Sequence, residues 1–180
     1  SNPSVSSPMA STKRPSTALP KSVSRKPLIG WREWVGLPQL GGEQIKAKID
    51  TGARTSAIHA FKIRVLTDGG VPHVSFRLHP VQRRKTPEIE CVAPVHDRRR
   101  VRSSNGEQQM RYVIRTPIIL GAHEVLAEVT LADRDQLGFR MLLGRELLRT
   151  HFLIDPGRSF LAGSPQTDSA AEQMAALPSE

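Results

Sequence analysis

The chain has 180 residues, enough for one domain with tails or one domain working as an oligomer, and its single cysteine, Cys91, excludes an intrachain disulfide and suits a reducing compartment. No apolar run approaches membrane-spanning length and the N-terminal stretch lacks the apolar centre of a secretory signal, so the expectation is a soluble cytoplasmic protein. The formal net charge is +9, and because residues 1–26 hold five bases and no acid while 163–180 hold three acids and no base, +7 falls on the stretch between them. That balance favours nucleic acid, anionic lipid or acidic polypeptide as partners without choosing among them.

In chain order, residues 1–26 are rich in Ser, Pro, Lys and Thr and are expected to form a disordered basic tail. A folded domain is expected over 27–162, opening near Leu28-Ile29-Gly30-Trp31, and a flexible tail over 163–180. Gln44–Ile49 reads as a short strand leading into Asp50. Ile58–Leu66 and Val71–Leu78 flank Thr67-Asp68-Gly69-Gly70, a hairpin signal. Arg111–Leu120 and Glu124–Leu131 flank Gly121-Ala122-His123, a second hairpin. Met141-Leu142-Leu143 is a fully apolar strand ending at Gly144, Arg145–Thr150 is a short helix, and Phe152–Asp155 and Ser159–Leu161 read as terminal strands. Many short strands with one late helix predict an all-β barrel or sandwich.

Asp50-Thr51-Gly52-Ala53 is the most informative segment. A carboxylate at a strand end, followed by Thr and Gly in a tight turn, suits half of an aspartic-protease site: the hydroxyl braces the carboxylate and Gly lets backbone N–H groups approach it. Aspartic catalysis needs two carboxylates sharing one proton. The chain carries one Asp-Thr-Gly, so the second Asp must come from another copy, and a homodimer follows from the chemistry.

The segments Ile29–Val35, Ile45–Ala57, Val101–Gly106, Arg111–Ile114 and Met141–Arg145 together resemble the retropepsin-like aspartic proteases, in particular a bacterial branch labelled ATP-dependent zinc proteases. The resemblance spans most of 28–162 and neither tail. It implies a mainly β, closed retropepsin-like barrel with one short C-terminal helix, active as a dimer. It assigns Asp50 as the catalytic aspartate, Thr51 as a bond across the dimer beneath the carboxylates, and Gly52 as the residue that orients Asp50. Ala53 would line the substrate site. Leu142, Leu143 and Gly144, with Arg145, would cross beneath the active-site loop, and the hairpin carrying Ser103, Ser104, Asn105 and Gly106 would stand in the place of the flap. Retropepsins follow Asp-Thr-Gly-Ala with an acid that pairs with the arginine after the second glycine. Here Arg54 occupies that place, so Arg145 lacks its usual partner, with Glu146 or Asp155 as the candidates to substitute for it.

The zinc in that label has little support in the sequence: there is no His-Glu-x-x-His and no pair of nearby cysteines, so no metal and no cofactor is expected, with His59, Cys91 and His96 the one set left open. No Gly-rich phosphate loop appears either. Residues 96–115 hold six arginines against two acids, a net +4 around the expected flap, and Arg98, Arg99, Arg100 and Arg102 are candidates to grip carboxylates. Members of the resembled family are associated with an ATP-grasp ligase that adds glutamates to a ribosomal protein. The resemblance therefore implies a peptide or acidic protein tail as substrate and a glutamate ligase as partner. The alternatives are a non-catalytic basic barrel holding RNA or ribosome, for which Tyr112 alone offers a stacking ring within the arginine cluster, and a regulator docking on a ligase. Trp31, Trp34, Phe139 and Phe152 read as core anchors.

Overall fold

The computed structural model describes residues 26–67, 69–81, 86–102, 106–133 and 138–163. Nearly all of the two expected tails lies outside the described residues. Among the described residues are twelve strands: β1 (Leu28–Ile29), β2 (Arg32–Leu37), β3 (Glu43–Ile49), β4 (Ser56–His59), β5 (Phe61–Leu66), β6 (His73–Leu78), β7 (Ile89–Pro94), β8 (Asp97–Arg102), β9 (Gln108–Leu120), β10 (His123–Ala132), β11 (Met141–Leu143) and β12 (Leu153–Ile154). One helix among them, α1 (Arg145–His151), lies between β11 and β12.

Six strands close into a barrel in the order β10-β4-β11-β3-β2-β9, because β9 pairs with β10 as well as with β2. Closure removes the open edges that a sheet of this size would otherwise present. β8 attaches to the outside of the ring along β9, from Asp97 opposite Val113 to Arg102 opposite Gln108. β5, β6 and β7 form a separate three-stranded antiparallel sheet, and β1 and β12 pair in parallel. The expectation of a mainly β closed barrel with a single short helix is met.

Alternation builds the barrel core. In β3, Ile45, Ala47 and Ile49 face inward while Lys46 and Lys48 face out, and β10 alternates likewise through Val125, Ala127 and Val129. β11 is buried at all three positions, as expected of a strand flanked on both sides and covered on both faces. Pro117 falls in β9 between the β8 partners Gln108–Val113 and the β2 contact at Ile119, a stretch where no second ladder requires its missing N–H.

Several strand expectations change. Ile58–Leu66 is not continuous: the chain leaves the barrel at Ala60, whose N–H donates to the Ala132 carbonyl at 2.9 Å, and Lys62 takes φ 51 as the register shifts between Phe61 and Arg64. The predicted hairpin then closes between β5 and β6, with Leu66 opposite His73. The β9–β10 hairpin turns through Gly121 at φ 61, as read from the sequence. Ser159–Leu161 is not a strand. Phe160 takes φ 55, which bends the chain, and its N–H donates to the Arg32 carbonyl at 3.0 Å.

That bend is held by Glu33, a fully buried carboxylate that no local pattern marks out. It accepts N–H bonds from Gly30 at 2.6 Å, Leu161 at 2.9 Å and Ala162 at 3.0 Å. Three charge-assisted bonds replace the water that the carboxylate loses, and they tie the C-terminal segment to the start of β2. Glu33→Ala strands those three buried donors and is predicted to cost about 3 kcal/mol or more in urea unfolding, with Glu33→Gln costing less. A loss for Glu33→Ala below about 1 kcal/mol would contradict this role.

Candidate active site

Asp50 sits where β3 ends. Its N–H donates to the Leu143 carbonyl at 2.9 Å, which continues the parallel pairing of Ile49 with Leu143 and Lys48 with Leu142. β11 thus lies between the two strands that enter and leave the Asp50 loop, β3 on one side and β4 on the other. The Asp50 loop turns tightly. The Ala53 N–H donates to the Asp50 carbonyl at 3.2 Å, and the Gly52 N–H donates to Asp50 Oδ1 at 2.9 Å. The carboxylate is oriented by its own turn, with 30% of the side chain exposed. Thr51 and Gly52 are exposed in the single chain.

Gly144 fixes the loop from beneath. A Cβ there would stand 2.5 Å from the Thr55 carbonyl carbon and oxygen, so the loop backbone rests directly on this glycine. Its φ of −97° is ordinary, and close approach rather than backbone freedom demands Gly. The Gly144 N–H donates to Ser56 Oγ at 3.0 Å, the Arg145 N–H to the Ala53 carbonyl at 2.7 Å and the Glu146 N–H to the Arg54 carbonyl at 3.1 Å. The first turn of α1 therefore meets the loop carbonyls with N–H groups that have no partner within the helix.

The ion pair at this junction is reversed relative to the retropepsin pattern. Arg54 Nε bonds Glu146 Oε1 at 2.8 Å, and that guanidinium holds the Glu146 carboxyl below its ordinary range. Arg145 Nη1 donates to the Thr51 carbonyl at 3.2 Å. Neither substitute considered from sequence pairs with Arg145: Glu146 bonds Arg54 instead, and Asp155 Oδ1 accepts from the Gly157 N–H at 3.0 Å.

A groove of about 570 Å³ separates the loop from β8, lined by Arg54, Thr55 and Glu146 on one side and Arg99–Arg102 on the other, with Thr130 at its floor. The structure brings the expected arginines to the same side of the molecule as the Asp50 loop. They are not equivalent. Arg99 is committed within the chain: Nε bonds Asp97 Oδ2 at 2.8 Å and Nη2 bonds Glu128 Oε2 at 3.1 Å, and these acids raise its pKa. Arg98 lies over the Tyr112 ring at 5.6 Å. Arg100 and Arg102 are exposed at the rim. Gly106 is described, with φ 85, whereas Ser103, Ser104 and Asn105 lie outside the described residues.

The open metal set does not assemble. Among the described residues, no three His, Cys, Asp or Glu side chains are placed to share an ion. Cys91 is buried in β7, and burial with the Glu90 charge pushes its thiol up to about 11, the wrong direction for a thiolate ligand. His96 Nε2 contacts Glu128 Oε1 at 3.1 Å, and His59 lies on β4.

A group missed from sequence flanks Asp50. Lys48 Nζ is 3.9 Å from Asp50 Oδ2. Arg32 stands directly opposite Lys48 in the β2–β3 ladder, its guanidinium 4.7 Å from the Trp31 ring centroid and 5.0 Å from that of Phe160. Trp31 and Trp34 are half-buried members of this exterior cluster, not core anchors, whereas Phe139 and Phe152 are buried as expected. Period-2 alternation alone placed Lys46 and Lys48 outward, but nothing in the sequence placed Arg32 beside them.

The closed barrel with an Asp-Thr-Gly loop resting on a glycine-ended strand is that of a retropepsin-like protein. Residues 28–165 match the RimB-like family, described as retropepsin-like aspartic endopeptidase RimB, and the chain belongs to that family. It is 48% identical over 147 residues to a Shewanella halifaxensis protein named "Probable alpha-L-glutamate ligase", covering 82% of this chain and 32% of that one. Relatives with the same name in Desulfotalea psychrophila and Parasynechococcus marenigrum are 41% and 39% identical over 80% and 88% of this chain, and 31% and 34% of theirs. The chain therefore spans about a third of the length of these relatives, whose names carry neither zinc nor protease. The Legionella pneumophila protein Lpg0085, of unknown function, shares the fold at TM-score 0.63 and 23% identity, over 76% of this chain and 98% of its own.

Gly144→Ala is predicted to lower stability by about 1–3 kcal/mol, because its methyl must displace Thr55 backbone rather than a flexible side chain. Thermal unfolding checks this, and an unchanged midpoint would contradict the packing described.

Proposed function

We propose that the protein is an aspartic peptidase whose site is completed by two copies of Asp50 at a homodimer interface. The observation that carries this reading is the supported turn: one carboxylate, aimed by the Gly52 N–H, stands part-exposed on a loop seated on Gly144. Its one charged neighbour among the described residues is Lys48, 3.9 Å away, and no second carboxylate stands beside it. A second copy supplies the missing member, and two carboxylates about 3 Å apart hold a single proton between them. The ionised member takes a proton from a bound water, the water attacks the peptide carbonyl, and the protonated member donates to the developing oxyanion. The two roles belong to the pair, because its titration is coupled. Thr51, exposed in the single chain, is then the residue that braces the two loops across the dimer, with Ala53 lining the bound peptide.

The β8–β9 hairpin serves as the flap that closes over an extended peptide and excludes water. The groove beneath β8 favours acidic substrate: Arg100 and Arg102 sit exposed at its rim, while the acids Asp97 and Glu128 are already bonded to Arg99. A glutamate-rich protein tail suits that charge. The names of the relatives support a glutamate ligase as the partner that makes such a tail, this chain being the trimming half of an addition-and-removal pair. No step runs through zinc, since the candidate ligands are not gathered. The non-catalytic RNA-binding reading has a weaker basis, because Tyr112 is the one ring beside the β8 arginines and it already carries Arg98.

Asp50→Asn keeps the side chain's shape and removes the charge. It is expected to leave the dimer intact on size-exclusion chromatography and to reduce cleavage of glutamate-rich peptides on the order of a thousandfold or more. Cleavage by the variant at the normal rate would overturn the proposal.

A further inference from the structure

We infer that Lys48 and Arg32 form a specificity site that seats an acidic side chain next to the scissile bond, distinct from the arginines of β8. The inference rests on the peptidase reading above and names how that site selects its substrate. Lys48 lies two residues before Asp50 on the outward face of β3, and its ammonium is 3.9 Å from Asp50 Oδ2. Successive residues of an extended peptide advance about 3.3 Å. A peptide whose carbonyl is held at Asp50 therefore brings an adjoining side chain within reach of Lys48.

Arg32 completes the site. The ladder puts Arg32 opposite Lys48, and like charges in that position oppose each other in an antiparallel pair. Asp50 is the acid beside Lys48, and Arg32 has no carboxylate partner among the described residues. The Arg32 guanidinium is nevertheless held in place, between Trp31 and Phe160 and by an Nε bond to Ser159 Oγ at 3.2 Å. The backbone supports this cage: the Trp31 carbonyl accepts from the Ile49 N–H at 2.8 Å, and Phe160 is held at φ 55 by its bond to the Arg32 carbonyl. A guanidinium fork held on one strand, opposite an ammonium on the next, suits a carboxylate.

Assembly strengthens the effect. Two Asp50 carboxylates sharing a proton carry one negative charge between them, whereas two copies of Lys48 and Arg32 bring four positive charges. The surplus favours glutamate or aspartate on both sides of the bond to be cut. The β8 arginines line a separate groove, shared with Arg54, Thr55 and Glu146, and would meet residues farther along the tail.

Two measurements test the assignment, both on the full chain. In the first, kcat/KM is compared for a peptide with glutamates flanking the cleaved bond and for its glutamine counterpart. Lys48→Met is expected to lower the acidic-over-neutral ratio about tenfold, and Lys48→Glu to invert it toward peptides with lysine at that place. A ratio that stays at the wild-type value in both variants overturns the site, as does an equal loss on both peptides, which marks a general effect on the carboxylate pair. In the second, binding of hexaglutamate to Asp50→Asn is followed through tryptophan fluorescence, since Trp31 touches Arg32. Added Lys48→Met is expected to weaken binding about tenfold, and Arg32→Lys, which keeps the charge and removes the fork, severalfold. Unchanged affinity in both overturns the inference. This arm needs no cleavage: wild-type protein that cuts nothing defeats the peptidase reading, and hexaglutamate held through Lys48 still supports the acidic subsite.

Discussion

The contact between Gly144 and the backbone of Thr55 is the constraint on which the arrangement depends. Two loop carbonyls accept N–H groups from the first turn of α1, and Ser56 Oγ accepts from Gly144 itself, only because no side chain separates the two segments. The loop so seated carries Asp50, and β11 threads between its flanking strands as part of the closed ring. A chain of backbone hydrogen bonds thus fixes the carboxylate relative to the barrel, with little left to side-chain conformation. Catalytic groups positioned by rigid strands hold their geometry better than groups on free loops.

Charge is arranged around that seat with a consistent asymmetry. Acids near the groove are engaged within the chain: Glu146 by Arg54, Asp97 by Arg99, and Glu128 by Arg99 and His96. Lys48 stands beside Asp50, Arg32 lies opposite Lys48 in the ladder, and Arg100 and Arg102 are exposed at the rim. Such exposed pairs contribute little to stability, so their distribution bears on what approaches the cleft rather than on the fold. The Arg54–Glu146 pair links loop and helix, with the acid on the helix.

Much of this was legible in the sequence, and the remainder was hidden for identifiable reasons. The Asp50 turn, the glycine-ended apolar strand and both Gly-turned hairpins rest on short-range patterns, and each appears where the pattern put it. Glu146 was among the options as a partner for Arg145, yet it bonds Arg54, and Arg145 turns instead to the Thr51 carbonyl. β8 escaped notice because Asp-Arg-Arg-Arg-Val-Arg belongs to an added outer strand with few inward positions to mark its period. β7 was concealed by its small inward residues, Cys91 and Ala93, and β2 by the buried charge of Glu33 at a core position. The partners of Glu33 at Leu161 and Ala162 are 128 and 129 residues away, and no local rule connects them. The split at Ala60 was equally invisible, since alternation continues through a strand that changes sheets. The cage around Arg32 required Phe160 to leave the extended conformation that its apolar neighbours suggested.

The account turns on whether each chain contributes half of one proton-sharing pair. Mixing wild-type protein with a large excess-free, equal amount of Asp50→Asn, under conditions that let subunits exchange, measures this directly. If the site needs both carboxylates, random pairing leaves activity at about one quarter of the same total concentration of wild type. Activity of about one half, as for chains that work independently, would contradict it.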